Sequence, residues 1–93
     1  MTIQHTACAG TLESSDIFVT VRPAGEGAKI LLTSSVEAQF GDAIRAVIRE
    51  VAEGMGATGL LIEAVDHGAL DCTIRARVET AILRAAREEV ARG

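Results

Sequence analysis

Two adjacent serines, Ser14 and Ser15, are the side chains of this sequence most open to covalent chemistry. A serine nucleophile needs a neighbouring base, usually a histidine that a third group orients. The two histidines of the chain are His5 and His67, and neither serine lies in a G-x-S-x-G elbow. The pattern predicts no catalytic triad and no catalytic residue. Without a further signal, either serine is an ordinary polar loop residue.

Pairs of carboxylates lie close together in the sequence, Glu13 with Asp16 and Asp66 with Asp71. Such pairs can bind Mg²⁺, but surface loops and helix caps use the same residues far more often. We therefore predict solvated or capping carboxylates and no metal site.

The two cysteines, Cys8 and Cys72, form no C-x-x-C motif and have no histidine at the spacing of zinc ligands. Neither a redox pair nor a zinc site is indicated. Because free cysteine behaves as a small hydrophobic residue, we predict that both side chains are reduced and buried.

The composition narrows the classes of partner. With a net charge of −4, no Trp or Tyr and two Phe, the chain lacks the basic surface and the stacking aromatics of nucleic-acid binding. No stretch approaches the roughly 20 apolar residues that span a bilayer, and the first residues lack the features of a secretory signal. We expect no nucleic acid and no membrane as partners, and a cytoplasmic location.

The segment that must position the serines is small and polar. Residues 1–15 are predicted to form a mobile, exposed loop, with a possible short strand near residues 8–12. Alternation of β-branched residues predicts a strand from Ile17 that Pro23 ends. A second apolar run covers residues 28–33, and the glycine-containing segment between the two runs predicts a hairpin.

Two helical patterns follow. Ser34 is predicted to cap the first helix while Glu37 reaches back to the cap, and apolar side chains then recur at helical spacing until Gly54 and Gly56 end the helix. A strand over residues 59–65 leads to a last helix that Asp71 is predicted to cap.

The order β-β-α-β-α, with a short extra strand at the start as a further option, predicts a two-layer α+β sandwich. Its small sheet of three to four strands has both helices on one face. At 93 residues the chain is expected to form one domain, residues 1–93, with residues 1–15 as its mobile N-terminal loop.

Three blocks of the chain resemble the citrate lyase acyl carrier protein family, also called the gamma chain. Residues 9–16, AGTLESSD, resemble the family's A-G-T-L-E-S-x-D opening. Residues 34–45, SSVEAQFGDAIR, are similar to S-S-V-E-x-Q-F-G-D-A-I-R, and residues 68–79, GALDCTIRARVE, to G-A-L-D-C-x-x-R-A-R-x-E. The blocks occur in the family's order across nearly the whole chain, which is therefore identified as a member.

This resemblance implies that Ser14, the serine of the E-S-x-D motif, is esterified as O-(phosphoribosyl dephospho-coenzyme A)serine. The thiol of the phosphoribosyl-dephospho-coenzyme A arm would carry acetyl and citryl thioesters between an alpha subunit, the acyl transferase, and a beta subunit, the citryl lyase. The chain would be a non-catalytic carrier in the cleavage of citrate to acetate and oxaloacetate. A prosthetic-group transferase and an acetate-activating ligase are its other implied partners.

Several alternatives stay open. Ser15 fills the variable position of the E-S-x-D motif and offers a second hydroxyl beside the expected one. The acyl carrier subunit of malonate decarboxylase resembles this family and uses the same type of arm. A structural or regulatory interaction domain without a prosthetic group is the alternative from another class. Candidate docking residues, predicted to be exposed, are Gln39, Asp42, Arg45, Arg75 and Arg77.

Overall fold

The computed structural model describes residues 1–87, which form a four-stranded sheet and two helices. The elements follow one another as β1 (Ala7–Ala9), β2 (Ile17–Pro23), β3 (Ala28–Ser34), α1 (Glu37–Gly54), β4 (Leu60–Asp66) and α2 (Asp71–Ala86). This arrangement confirms the predicted α+β class, and β1 is the short extra strand at the start.

The strands lie in the order β1-β2-β4-β3, so β4 separates β2 from β3. β2 pairs antiparallel with β1 and with β4, whereas β3 pairs with β4 in parallel. The predicted hairpin of β2 and β3 is therefore wrong. The glycine-containing connection, residues 24–27, carries the chain past the position of β4, and the return through α1 supplies the crossover that parallel pairing requires.

Both helices cover the same face of the sheet. Alternate residues of β2 and β4 are buried on that face, and each helix buries one stripe at helical spacing. The larger buried apolar residues include Ile17, Val19, Val21, Ile44, Ile48, Leu60, Ile62, Ile74, Val78 and Ile82. Within residues 1–87, neither helix has the length and apolar character that crossing a membrane would need.

The other face of the sheet points away from both helices. Phe18 pairs with Val65 across β2 and β4 on this open face, and Leu31 of β3 is 59% exposed there. Cys8 lies on the same face opposite Thr20. It is therefore exposed rather than buried.

The predicted burial of the second cysteine is also wrong, since Cys72 is a free, exposed thiol in the first turn of α2. The predicted helix caps are wrong as well. α1 begins after Val36 and α2 after Leu70, and neither helix start has a side-chain cap. Ser34 ends β3 instead, and Asp71 accepts a hydrogen bond from Arg75.

Candidate functional site

Ser14 lies at the tip of the connection between β1 and β2. The backbone N–H of Asp16 donates to the carbonyl of Glu13 at 3.2 Å, which places Ser14 and Ser15 at the two central positions of a tight turn. Both serines are exposed. Within residues 1–87, no hydrogen bond joins either hydroxyl to a histidine side chain, so the Ser14 hydroxyl is presented to solvent without a base.

The turn is anchored at its base by Asp16, whose side chain is only 12% exposed. Arg77 of α2 donates from Nε to Oδ1 and from Nη2 to Oδ2, both at 3.0 Å. Thr11 donates its hydroxyl to Oδ2 at 2.7 Å, and the backbone N–H of Ile17 donates to Oδ1 at 2.8 Å. A bidentate arginine with two further donors is a geometry that stabilises a buried carboxylate.

These donors also set the ionisation of Asp16. The hydrogen bonds from Arg77, followed by those from Thr11 and Ile17, hold the pKa of Asp16 well below its ordinary value, although burial acts in the opposite direction. The carboxylate is therefore ionised at neutral pH and keeps all four hydrogen bonds.

The backbone on both sides of Ser14 is in an unusual conformation. Gly10 has φ of +96°, and a Cβ at this position would overlap the carbonyl oxygen of Ile17. Ser15 has φ of +64°, a conformation that costs a non-glycine residue roughly 1–2 kcal/mol. The cost at Ser15 is offset by a 2.8 Å hydrogen bond from its N–H to the carbonyl of His67.

The connection from β4 to α2 lies beside this turn and has its own buried carboxylate. Asp66 is 1% exposed and accepts from the Ser34 hydroxyl at 2.8 Å. It also accepts from the backbone N–H groups of Gly68 at 3.2 Å and Ala69 at 3.0 Å. The N–H of His67 donates to the carbonyl of Asp16 at 2.9 Å, so the two connections are joined by backbone hydrogen bonds.

An apolar groove of about 420 Å³ opens next to this connection, between α1 and the start of α2. Two of its rim residues are large and exposed, Phe40 at 53% and Leu70 at 68%. The remaining lining residues are Val36, Ala43, Ile44, Val47, Asp66, Gly68, Ala69, Asp71 and Ile74.

The candidate docking residues lie in different surroundings. Gln39 and Asp42 are exposed on α1, where Asp42 lies 3.6 Å from Arg45. Arg45 also pairs with Glu37 at 3.2 Å. Arg75 links the two helices, because it pairs with Glu50 of α1 at 3.0 Å and with Asp71 of its own helix at 2.8 Å.

The roles of three residues of the site were not predicted from the sequence. Asp16 was predicted to be solvated or capping and is a buried acceptor. Arg77 holds Asp16, and its role as a docking residue stays a prediction. Thr11 was not singled out. The Asp16–Arg77 contact joins residues 61 positions apart, which periodicity cannot reveal. The one available signal is that each of the three falls within a block that resembles the family.

The described residues contain no candidate metal site. Among residues 1–87, no three His, Cys, Asp or Glu side chains are grouped so that they could hold a metal ion. Glu13 is exposed on the turn while Asp16 is committed to Arg77, so this pair does not converge on a common site.

Comparison with known proteins relates this chain to acyl carriers. The family model described as malonate decarboxylase delta subunit matches residues 4–85. A citrate lyase acyl carrier protein of Streptococcus uberis is 58% identical over 86 residues, which make up 92% of this chain and 85% of the relative. One from Streptococcus mutans is 56% identical, over 97% of this chain and 89% of the relative.

Solved structures include a chain of similar fold in a Pseudomonas malonate decarboxylase hetero-tetramer in complex with malonate. The TM-score is 0.73 at 22% identity, and 90% of each chain is covered. At this identity the likeness establishes the shared fold.

Proposed function

This chain belongs to the citrate lyase acyl carrier protein family, and from that premise we propose that Ser14 is the residue to which its prosthetic arm is attached. The observation that carries the proposal is the exposure of Ser14 at the tip of a turn fixed by Asp16 and Arg77. An attachment residue must be open to the modifying enzyme, and a turn whose base is anchored on a rigid scaffold exposes the residue at its tip.

Acyl carriers of this family hold a prosthetic group, and we propose that here it is phosphoribosyl-dephospho-coenzyme A. The surroundings of Ser14 fit a bulky phosphodiester, because Ser14 is exposed and the buried carboxylate two residues further on, Asp16, is paired with Arg77. When bound, the arm supplies a thiol that holds acyl groups as thioesters. The chain itself contributes attachment and orientation and no acid, base or nucleophile.

The partners and location belong to the same proposal. The carrier would serve an alpha subunit that transfers the acyl group and a beta subunit that cleaves the citryl thioester, in the cytoplasm. Tethering raises the effective concentration of the thioester at both active sites. A prosthetic-group transferase and an acetate-activating ligase would load the carrier.

Within the predicted mobile segment, residues 1–15, we propose mobility at the turn that carries Ser14, because Ala7–Ala9 pair with β2 and Ile3 is buried. The hydrogen bonds of Asp16 restrict movement to the tip of the turn, so most of the reach would come from the arm. Backbone order parameters measured by NMR would test this, with values below about 0.6 expected for a flexible tip.

A pair of matched serine variants tests the attachment site. Ser14→Ala and Ser15→Ala proteins are produced together with the attaching transferase and weighed by intact mass spectrometry. We expect Ser14→Ala to lose the mass of the arm completely and Ser15→Ala to keep it. The reverse pattern would contradict Ser14 as the site, and an unmodified wild-type chain under the same conditions would favour an interaction domain without a prosthetic group.

The second candidate is an acyl carrier of malonate decarboxylase, favoured by the name of the matching family model and by the similar fold. The relatives at 56–58% identity favour citrate lyase. Reconstitution of the loaded carrier with the large subunits of each enzyme separates the two, since only the matching set should turn over citrate or malonate.

A further inference from the structure

The apolar groove between α1 and α2 lies outside the turn that carries Ser14. Phe40 and Leu70 expose large apolar surfaces at its rim, and Ile44, Val47 and Ile74 lie along it. Exposed apolar side chains around one concave surface indicate a site that binds an apolar group.

The two carboxylates at the groove already have partners within the protein. Asp66 accepts three hydrogen bonds, and Asp71 pairs with Arg75 at 2.8 Å. Among residues 1–87, no lysine or arginine lines the groove, and the neighbouring Arg75 is already paired with Asp71. Phosphate groups in the groove would therefore lie beside two carboxylates with no cation in its lining, whereas an uncharged chain would meet mainly apolar side chains.

The groove and the attachment turn are structurally continuous. Ser15, next to Ser14, donates its N–H to the carbonyl of His67, and the following residue, Gly68, forms part of the groove wall. A group attached to Ser14 therefore starts beside the connection that forms one wall of the groove.

From these observations we infer that the groove binds the uncharged, thiol-bearing end of the arm and shelters it between visits to the large subunits. This inference rests on the proposed attachment at Ser14. Coenzyme-A-type arms have a charged nucleotide part and an uncharged pantetheine part, and only the latter can enter an apolar groove without placing phosphate charge beside Asp66 and Asp71. The groove would thereby shield the thiol from solvent reagents.

Methyl NMR on arm-free and arm-loaded protein tests the binding directly. We expect the arm to shift the methyl signals of Val36, Ile44 and Ile74, while Leu31 and Val65 on the open face stay unchanged. Unshifted groove methyls in protein that carries the arm would overturn the inference. Groove shifts that appear only after the large subunits are added would also overturn it, because they would identify a protein docking surface.

A groove-filling variant tests the sheltering. Ala43 is exposed on α1 and lines the groove, whereas Ala46 is exposed on the same helix and does not line it. Leucine is a good helix former, so Ala43→Leu and its matched control Ala46→Leu should both fold. Alkylation of the arm thiol is followed by mass spectrometry, with the exposed thiol of Cys8 as internal reference.

If the wild-type groove holds the thiol about nine-tenths of the time, Ala43→Leu should speed its alkylation about tenfold, while Ala46→Leu leaves the rate unchanged. Equal rates in all three proteins would contradict the inference. Each sample is first shown by its mass to carry the arm. A protein without the arm at Ser14 is thereby distinguished from a protein whose groove does not bind the end of the arm.

Discussion

The two ends of the sheet are closed in different ways. At the serine end, which comprises residues 10–16, 34–36 and 66–71, buried carboxylates bind the connecting segments. At the glycine end, which comprises residues 23–27 and 56–59, backbone groups bind one another. The N–H of Ala24 donates to the carbonyl of Gly59, and the N–H of Gly59 to that of Gly27, each at 2.8 Å.

Burying a carboxylate costs free energy unless it pairs with an arginine or accepts several hydrogen bonds. A glycine turn buries no charge and needs no such partners. The serine end contains two of these costly arrangements, around Asp16 and Asp66. Departures from the simplest local solution concentrate at functional sites. The difference therefore supports our proposal that the serine end presents Ser14, whereas the glycine end shows only backbone hydrogen bonds that close the chain.

The largest expected difference between the ends is at glycines with positive φ. Gly10→Ala should lower the free energy of unfolding by about 4 kcal/mol, because the new Cβ adds an overlap with the Ile17 carbonyl to the strain of the left-handed backbone. Gly27→Ala, whose Cβ would meet no atom within 4 Å, should cost about 1 kcal/mol. Urea unfolding measures the loss of stability in each variant. Equal losses for Gly10→Ala and Gly27→Ala would contradict the difference between the two ends.

Removal of a buried carboxylate should have the next largest effect. Asp66→Ala leaves the hydroxyl of Ser34 and the N–H groups of Gly68 and Ala69 without their acceptor, and we expect a loss of about 3 kcal/mol in the free energy of unfolding. The matched control is Glu26→Ala at the exposed glycine end, expected to change stability by about 0.5 kcal/mol or less. If Asp66→Ala lowered the free energy of unfolding no more than Glu26→Ala does, the two ends of the sheet would not differ in this respect.

Asp16 should make stability depend on pH at the serine end. The pKa of Asp16 is lower in the folded protein than in the unfolded chain, where it is about 3.9. Its contribution to the free energy of unfolding is therefore complete above the unfolded pKa and is lost as the pH falls through the lower, folded pKa. The stability advantage of wild type over Asp16→Asn should be constant above about pH 5 and shrink below about pH 4. Urea unfolding across this range measures it, with Glu26→Gln as the control; a constant difference would contradict the lowered pKa.

The smallest effect is expected on the open face, between the two ends. Arg22 and Glu63 form a 2.7 Å ion pair whose side chains are 49% and 41% exposed. Solvent screens such a pair, so Glu63→Gln should cost about 0.5 kcal/mol in urea unfolding, and less in high salt. A cost comparable to that of Asp66→Ala would show that exposed pairs matter as much as the buried carboxylates.

Local patterns predicted the elements of this fold better than their arrangement. The alternation from Ile17 to Val21 and the helical spacing of Ile44 and Ile48 depend on neighbours in sequence, and the corresponding strand and helix are present. The hairpin prediction failed because strand pairing depends on contacts between distant segments, and β4, the preferred partner of both strands, comes later in the chain.

The same limit applies to the candidate site. Ser14 could be singled out because its motif is local, whereas the role of Arg77 depends on α2 packing beside the turn. Ser34 illustrates the converse error, since a capping box was predicted but its hydroxyl accepts from the N–H of Val36, ahead of the helix, and donates to Asp66, 32 residues away. Local rules can suggest a nearby backbone partner but cannot reveal the distant side chain.

Fragmentation mass spectrometry of the peptide containing residues 10–16, from protein isolated from cells that are cleaving citrate, would identify the modified serine directly. We expect a phosphodiester-linked arm on Ser14, with Ser15 unmodified. An arm on Ser15, or an unmodified peptide from such cells, would contradict this expectation.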